Sequence, residues 1–531
     1  MNWPTVHAGI TGRRRLGPAR YGADEVGASS WVLDPLNDWS AEGRNVAAFA
    51  MDLVQTDPYA AAMLTARLNL TLGAKGLEFR SLYQADGDPK TDQEEIVEQQ
   101  RIEDIIADAS SGTCLDAGRT MTRKRLESAI LSSAIVAGDG FAVRAFKPNR
   151  VGCTMATCWR VVHYARVRNP LGCSNYNPIL AKNKVKGVDG RPLRTRSNNV
   201  IYEGIEITRN GKEPVALWIA MPDGNESFFS ATKFMRVPYY APNGSRNVIH
   251  AYEQQYPGQL RGFSAFSPAF MTFKHLKGTT EAHMVGKRAL ACHPLFLRSR
   301  DPEVAARFAR MGAVTGPNSA TRPGMMTYIG EDGEVISPGY SYQGSDFREY
   351  IETVIRPATA MWGLPWQFVL NQLTNANLAS SRAALDQTER TSHGWQDDQI
   401  GSTTSVLDRS ILEEGEARSM LRVPLVEAMK GYYLRPRRWS TDRKKEADAD
   451  WLDYDMGKSL SSIFAERGSD FRREAIRKKS DMEFLERLGM SPPSKAPPPV
   501  VEDEATESDD FSDEVIDDDG ETASYEVIDD E

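Results

Sequence analysis

Apolar side chains recur at helical spacing through Phe347, Tyr350, Ile351, Val354, Ile355, Ala358, Met361 and Trp362, which predicts a helix with one buried face. Pro357 falls inside that pattern, withholds one backbone donor and is expected to bend the helix. Gly363 and Pro365 then end it. The following stretch, residues 367–377, carries no charge and is rich in Gln and Asn, so it reads as a polar loop. A second helix is expected from Ser380 or Ser381, through Arg382, Ala383, Leu385, Gln387 and Glu389, as far as Gly415. At 1.5 Å per residue it would be roughly 50 Å long.

Earlier in the chain the same reading predicts three helices. Asp57 before Pro58 is an N-cap acid followed by proline at the first helical position, and Tyr59, Met63, Leu64, Arg67 and Leu68 continue the helix to Gly73. A helix over about 92–109 places Ile96, Ile102, Ile105 and Ile106 inward, and a third follows Thr122 with Leu126, Ala129, Ile130, Ser133 and Ala134. It ends at Gly138-Asp139-Gly140, and a strand is expected over 141–146. Residues 151–250 read as β-rich, with strands over 159–162 and 200–208. Asn210-Gly211 suits a type I′ hairpin turn, returning along 214–220. A helix from Ser267-Pro268 to about Cys292 would bury Phe270, Phe273, Leu276, Met284 and Leu290. It interleaves them with Lys274, Lys277, Glu281, Lys287 and Arg288. Short strands and turns fill 294–344, and residues 417–490 are charged and helical.

Charge divides the chain. The formal net charge is −9, but residues 502–531 hold 16 acidic and no basic side chains. Residues 1–501 therefore carry 64 basic against 57 acidic residues, a net of +7. The tail reads as a solvating or interacting arm behind a stiff spacer of Pro492, Pro493, Pro497, Pro498 and Pro499. The first forty residues, with Arg13, Arg14, Arg15 and Arg20, read as a flexible basic arm. No run of eighteen apolar residues exists, so no membrane span is expected, and the N-terminus lacks the apolar core of a signal peptide.

Candidate chemistry is sparse. Five cysteines (Cys114, Cys153, Cys158, Cys173, Cys292) make no disulfide framework, which points to a reducing compartment and ordinary buried thiols. Cys153, Cys158, His163 and Cys173 have only loose spacing for a zinc site, and no metal or other cofactor is expected. Gly457-Lys458-Ser459 has Leu452 where a phosphate-binding loop requires glycine. The pairs Glu94-Glu95 and Asp397-Asp398 read as solvated helix faces. No catalytic residues are assigned, and the chain is not read as an enzyme.

The stretch IRPATAMWGLPWQFVLNQLTNANLASSRAAL resembles the signature of the lambda-type family of tailed-phage portal proteins. In that family a helix ends in a Gly-hydrophobic-Pro turn, followed by a polar loop and entry into a long helix. TDPYAAAMLTARLNLTLGAKGLEF, NNVIYEGIEITRNGKEPVALWIAMP and RNVIHAYEQQYPGQLRGFSAFSPA are similar to further family blocks in the same order. In the last, Gln255-Tyr256 stands where the family often has arginine, while Gly258-Gln259 and Arg261-Gly262 are kept.

The resemblance implies an α+β portal fold with a mixed α/β wing, a two-helix stem, a small α/β clip and a helical crown. On this chain the expected divisions are an arm over 1–43, wing 44–262, first stem helix 263–292, clip 293–344 and second stem helix 345–363. A tunnel loop over 364–380, a long wing or crown helix over 381–416, the crown over 417–490 and the spacer and tail over 491–531 complete it. The implied assembly is a homo-oligomeric ring of about twelve subunits at one capsid vertex of the virion, assembled in the host cytoplasm. Implied partners are double-stranded DNA, the terminase large subunit, major capsid or scaffold proteins and head–tail adaptor proteins.

DNA must slide through such a ring, and affinity rises with each phosphate neutralised. The uncharged segment therefore suits the channel lining, with Gln367, Asn371, Gln372, Thr374, Asn375 and Asn377 as its candidates. Lys274, Lys277, Lys287 and Arg288 are expected either to line the stem or to pair between subunits. Arg298, Arg300, Arg307 and Arg310 are the expected docking residues of the clip. The competing reading is a non-portal DNA-binding structural protein of a phage particle, suggested by the basic body and the arginines of 435–445.

Overall fold

A computed structural model of the protein describes residues 39–83, 92–170, 199–208, 213–222, 233–291, 295–298, 303, 326–329, 344–370, 378–436 and 443–489. These form an α+β fold in two compact units, one reaching Phe471 and one starting at Arg472.

The first unit opens on a short π-helical turn, Trp39–Gly43, leading into α1 (Arg44–Thr56). Trp39 is buried and its indole N–H donates to the Gly262 carbonyl at 2.7 Å, so the ordered fold begins earlier than an arm over 1–43 allows. Asp57 separates α1 from α2 (Pro58–Leu72); its Oδ1 accepts from the N–H groups of Tyr59 and Ala60 at 2.9 and 3.1 Å. That cap is worth about 1 kcal/mol. Next come β1 (Glu78–Ser81) and α3 (Asp92–Ala109), in which Ile102, Ile105 and Ile106 are buried. Glu95 is buried too, which corrects the solvated reading of that position; Glu98 and Glu103 share its face of the helix. Glu103 is satisfied there by the Ser81 N–H and Arg80, and Glu98 by the Arg422 N–H.

Helix α4 (Arg123–Ala137) is capped by the Thr122 hydroxyl and stops at Gly138, which sits at φ 92. The turn delivers the chain into β2 (Gly140–Phe146), and β3 (Thr157–Val162) pairs back on it. The run expected as one strand over 200–208 is a hairpin, β4 (Asn199–Tyr202) and β5 (Ile205–Thr208). Glu203 and Gly204 turn between them at φ 43 and 86, the left-handed pair that a two-residue hairpin requires. Strands β6 (Pro214–Met221) and β7 (Lys233–Pro238) complete an antiparallel four-stranded sheet in sequence order. The Asn210-Gly211 turn lies outside the described residues, but β5 and β6 pair antiparallel as expected. Strand β8 (Val248–Ala251) joins β2, giving the order β3-β2-β8. Between the two sheets Phe141, Val143, Val162, Val167, Val200, Leu217, Ile219 and Val248 make one core.

A 3₁₀ turn at Ser267–Ala269 leads into α5 (Phe270–Ala291). Phe270, Phe273 and Leu276 are buried, whereas Met284 is 48% exposed, contrary to the periodicity. Strands β9 (Leu295–Arg298) and β10 (Met326–Ile329) pair parallel, and α6 (Gly344–Ala360) follows with Pro357 inside it. The stretch expected as polar loop starts helical, as α7 (Trp366–Leu370), because Val369 is drawn into a core with Trp362 and Leu364.

Helix α8 (Leu378–Gln399) passes through a π-helical turn, Ile400–Thr404, into α9 (Ser405–Ala417), so the long helix is real but contains an interruption. Residues after α9 do not begin a separate helical region. Leu421, Val423, Leu425, Met429 and Tyr433 pack on the core of α3, α4 and α9, and β11 (Gly431–Leu434) pairs antiparallel with β1. Between them lies the single turn α10 (Leu425–Ala428). Helices α11 (Arg443–Asp455) and α12 (Leu460–Glu466) complete the unit. Ser459 caps α12 and Lys458 pairs with Asp453 and Glu466, a structural use of the Gly-Lys-Ser sequence. The second unit contains most of α13 (Phe471–Arg487), in which no residue is buried.

Candidate functional site

The basic residues singled out on α5 lie on a helix paired with α6. Phe273, Leu276 and Ile355 are buried, the Thr279 and Tyr350 hydroxyls meet at 2.9 Å, and His283 stacks on Phe347 with ring centroids 3.7 Å apart. These contacts fix which side of α5 faces away from α6. Lys274, Lys277, Lys287 and Arg288 are all exposed, against one exposed acid, Glu281. None of the four forms an ion pair among the described residues. On α6, Arg348 and Arg356 flank Glu352, so its exposed charge is largely balanced along the helix.

The C-terminal end of α6 is the firmest joint in this region. Trp362 closes against Phe266 edge-to-face at 4.7 Å. Arg67 of α2 lies between Trp362 and Trp395, its guanidinium carbon 5.1 and 4.7 Å from the two ring centres, and pairs with Glu253. A cation held between indole faces gains about 1–2 kcal/mol where it is desolvated. Gln396 adds a hydrogen bond to the Leu70 carbonyl at 2.8 Å. Gly363 turns the chain at φ 63 directly beside Thr391 of α8. The uncharged segment 371–377 thus leaves from α7, whose Val369 is buried, and returns into α8, which is clamped by Trp395.

Of the proposed lining residues, Gln367 lies half-buried on α7; Asn371, Gln372, Thr374, Asn375 and Asn377 lie outside the described residues. Arg298 ends β9, and Arg300, Arg307 and Arg310 lie outside the described residues. The basic arm residues Arg13, Arg14, Arg15 and Arg20 and the acidic tail also lie outside them.

The retained Arg261-Gly262 pair is a buried hub. Arg261 Nε donates to Asp139 Oδ2 at 2.7 Å, and its Nη1 reaches the carbonyls of Glu203 and Val167 at 2.6 and 3.2 Å. Its plane stacks on Trp39, 4.2 Å from the ring centre. Asp139 Oδ1 accepts from the Gly262 N–H and from His250 Nε2, at 2.9 and 2.8 Å. Burial alone would raise the Asp139 carboxyl, but Arg261 and His250 together hold it below its ordinary value. His250 is pushed down by burial, more than Asp139 lifts it. The Tyr239 hydroxyl lies 3.3 Å from Nδ1, a contact that suits a neutral ring accepting there. Gly138 and Gly262 pass backbone against backbone, and a Cβ on Gly138 would come within 2.3 Å of the Gly262 carbonyl oxygen. Sequence reasoning kept the motif without this role. The signal available was a Gly-Asp-Gly turn combined with a lone Arg-Gly after a strand.

A second buried cluster joins α4, α9 and β11. Arg123 reaches Glu127 at 3.1 Å and Asp408 at 2.6 Å, and the Tyr433 hydroxyl donates to Asp408 at 3.2 Å. Burial and the neighbouring Asp408 push the Glu127 carboxyl up to about 7, against the opposing pull of Arg123. Burial and Asp408 likewise raise the Tyr433 phenol. The cluster pins the C-terminal half of the long helix to the body. Glu414 does the same by accepting from the N–H groups of Ala156 and Thr157, as does the Arg144–Glu413 pair at 2.6 Å.

The cysteine expectation is corrected. Cys114 and Cys153 are joined by a disulfide with their Cα atoms 5.4 Å apart, and Cys158 is a buried free thiol. Cys153 is therefore spent, and Cys158 near the start of β3 is separated from His163, which follows its last residue, by about 16 Å at strand spacing. Cys173 lies outside the described residues. Among the described residues no group of three or more His, Cys, Asp or Glu side chains converges as a metal site.

The model of the lambda family of phage portal proteins matches residues 31–396, and the chain belongs to that family. Portal proteins are structural rather than enzymatic components. Three similar solved structures come from gene transfer agent particles. The neck of the native particle, computed with C12 symmetry, is 12% identical, covers 80% of this chain and 98% of its own, and has a TM-score of 0.40. The virion of the native particle is 13% identical over 85% of this chain and 99% of its own, at 0.35. The neck of the empty particle, computed with C6 symmetry, is 13% identical over 85% and 94%, at 0.36. No curated protein matches the chain.

Proposed function

We propose that the protein assembles into a ring of about twelve copies at a single vertex of a tailed-phage head, through which duplex DNA enters during packaging and leaves during ejection. In this reading α5 and α6 are the stem helices and residues 293–344 between them are the clip, which docks the terminase and later the head–tail adaptors. Residues 364–380 are the tunnel loop, with Gln367, Asn371, Gln372, Thr374, Asn375 and Asn377 toward the DNA. The apolar Met284 and Val285, exposed at 48% and 62%, are then covered by the next copy in the ring. Scaffold or capsid proteins contact the outer body.

The observation that carries the reading is the framing of the uncharged segment. An eleven-residue stretch without charge, residues 367–377, leaves a buried anchor at Val369 and returns to a helix held by the Trp362–Arg67–Trp395 stack. A lining that touches DNA through amides neutralises no phosphate and releases no counterion, so it adds little to affinity and lets the duplex slide. One added lysine is multiplied by the number of copies in the ring. The test is Asn375→Lys in assembling particles: packaged DNA should fall at least several-fold at low salt and recover partly at high salt. Unchanged packaging would remove segment 371–377 from the channel.

A further inference from the structure

The C-terminal tail contains a repeat that the portal reading does not use. Ser512-Asp513-Glu514-Val515-Ile516-Asp517-Asp518-Asp519 recurs twelve residues later as Ser524-Tyr525-Glu526-Val527-Ile528-Asp529-Asp530-Glu531. Six of the eight positions are identical, and the last keeps its charge. A merely solvating acidic arm needs neither the order of its residues nor a Val-Ile pair set between carboxylates at fixed spacing. A short recognition motif needs both, and a second copy raises its local concentration.

Helix α13 carries the complementary surface. At 3.6 residues per turn, Ile476 and Phe484 fall on one side of it together with Arg473, Arg477 and Arg487, Leu488 follows directly after its last residue, and Asp481 and Glu483 border that side. The three apolar side chains are 50%, 57% and 57% exposed. Such a strip combines an apolar centre with guanidinium groups, one of which, Arg477, already holds Glu474 at 3.0 Å and would share its remaining donors with an incoming carboxylate. Charge separates it from a second exposed apolar strip, Trp451, Leu452, Tyr454 and Met456. That strip is flanked by Asp448, Asp450, Asp453 and Asp455 and would repel an acidic segment.

From the repeat and this face together, we propose that the α13 strip is the docking site of the acidic repeat of its own chain. Val515-Ile516 or Val527-Ile528 covers Ile476, Phe484 and Leu488, and the flanking carboxylates meet the arginines. The tether permits it: residues 489–511 would span up to about 80 Å when extended, and α13 is about 26 Å long. Docking shields an arginine-bearing helix face that would otherwise bind phosphates of any nucleic acid.

The test uses the full-length protein and a zero-length carbodiimide cross-linker, which joins lysine to carboxylate, read by mass spectrometry. Arg473→Lys and Arg487→Lys together place two reactive amines on the strip, and these should link to Asp517–Asp519 and to Asp529–Glu531, whereas Lys478 and Lys479, on the opposite side of α13, should not. Replacing Val515, Ile516, Val527 and Ile528 by serine leaves every charge in place and should lower those links at least tenfold. Replacing only one Val-Ile pair should lower them partially. Ile476→Ser with Phe484→Ser should match the fourfold variant, with circular dichroism reporting that α13 stays helical. Links that persist in the fourfold serine variant, or that spread evenly over the lysines of the chain, would overturn the proposal in favour of diffuse electrostatics. Links found only between isotopically labelled and unlabelled copies would overturn it in favour of a second chain.

Discussion

Arg261 and Asp139, 122 residues apart, form a fully buried ion pair with Nε and Oδ2 at 2.7 Å. Around it close the π-helical turn at Trp39, the α4–β2 turn, the β4–β5 turn through Glu203, and β8 through His250. Taking away one partner leaves a fully buried charge without its counter-ion. Asp139→Ala is therefore expected to cost about 3–5 kcal/mol, measured as a lowered urea midpoint with an unchanged slope. Arg261→Lys keeps the charge but gives up the planar stack on Trp39 and Phe141. It should also destabilise, by less.

The hub and the Glu127 cluster titrate in opposite senses. The native His250 value lies below the ordinary 6.5, so the unfolded chain binds more protons there. That contribution is complete above about pH 6.5 and declines as pH falls toward the depressed native value. Asp139, held below 3.8, adds a loss at still lower pH, as its native value is passed. Glu127 lies at about 7 in the native state against 4.5 ordinarily, so its contribution is complete below 4.5 and is lost as pH rises toward 7. Urea midpoints measured from pH 4 to 8 should show both arms. Glu127→Gln should remove the loss between pH 4.5 and 7 and leave the acid-side loss intact.

Cys114 and Cys153 close a loop with a sequence separation of 39 residues. Chain entropy for a loop of that length is worth roughly 4 kcal/mol. Peptide mapping without reductant should recover the Cys114–Cys153 link. Reductant, or Cys114→Ser, should lower the unfolding midpoint, while Cys158→Ser should not act through the link.

Gly363 reverses the chain between α6 and α7 at φ 63, and a Cβ there would approach Thr391 Oγ1 to 2.8 Å. Gly363→Ala should cost about 1–3 kcal/mol. Trp395→Ala removes one side of the Arg67 stack. Both should raise the rate of proteolytic cleavage within 371–377 before global unfolding, and cleavage rates equal to those of the unaltered protein would show that the clamp does not govern this segment.

Much of the helical framework was legible because its signals are local. Asp57-Pro58 announces α2, the isoleucines mark α3, and Gly138-Asp139-Gly140 marks the entry to β2. What escaped depends on partners far along the chain. β1 and β11 are four residues each and pair across some 350 positions, so neither has a readable pattern alone. Glu203-Gly204 interrupts a β-branched run without changing its polarity, so two strands read as one. Cysteine spacing does not determine pairing, so the Cys114–Cys153 link was invisible. Trp39 is buried only because Arg261 and Gly262 come to meet it. At the candidate site the absence of charge in 367–377 was legible, whereas its anchoring by Arg67 between two tryptophans was not. Arg67 had read only as one position of a helix.

The central claim, a closed ring around a DNA channel, is tested most directly by electron microscopy of the purified protein, with its mass in solution from light scattering. The account predicts rings with a central hole, about twelve-fold symmetry and a mass about twelve times that of one chain. Monomers or dimers at every concentration, binding DNA with a steep salt dependence, would contradict it.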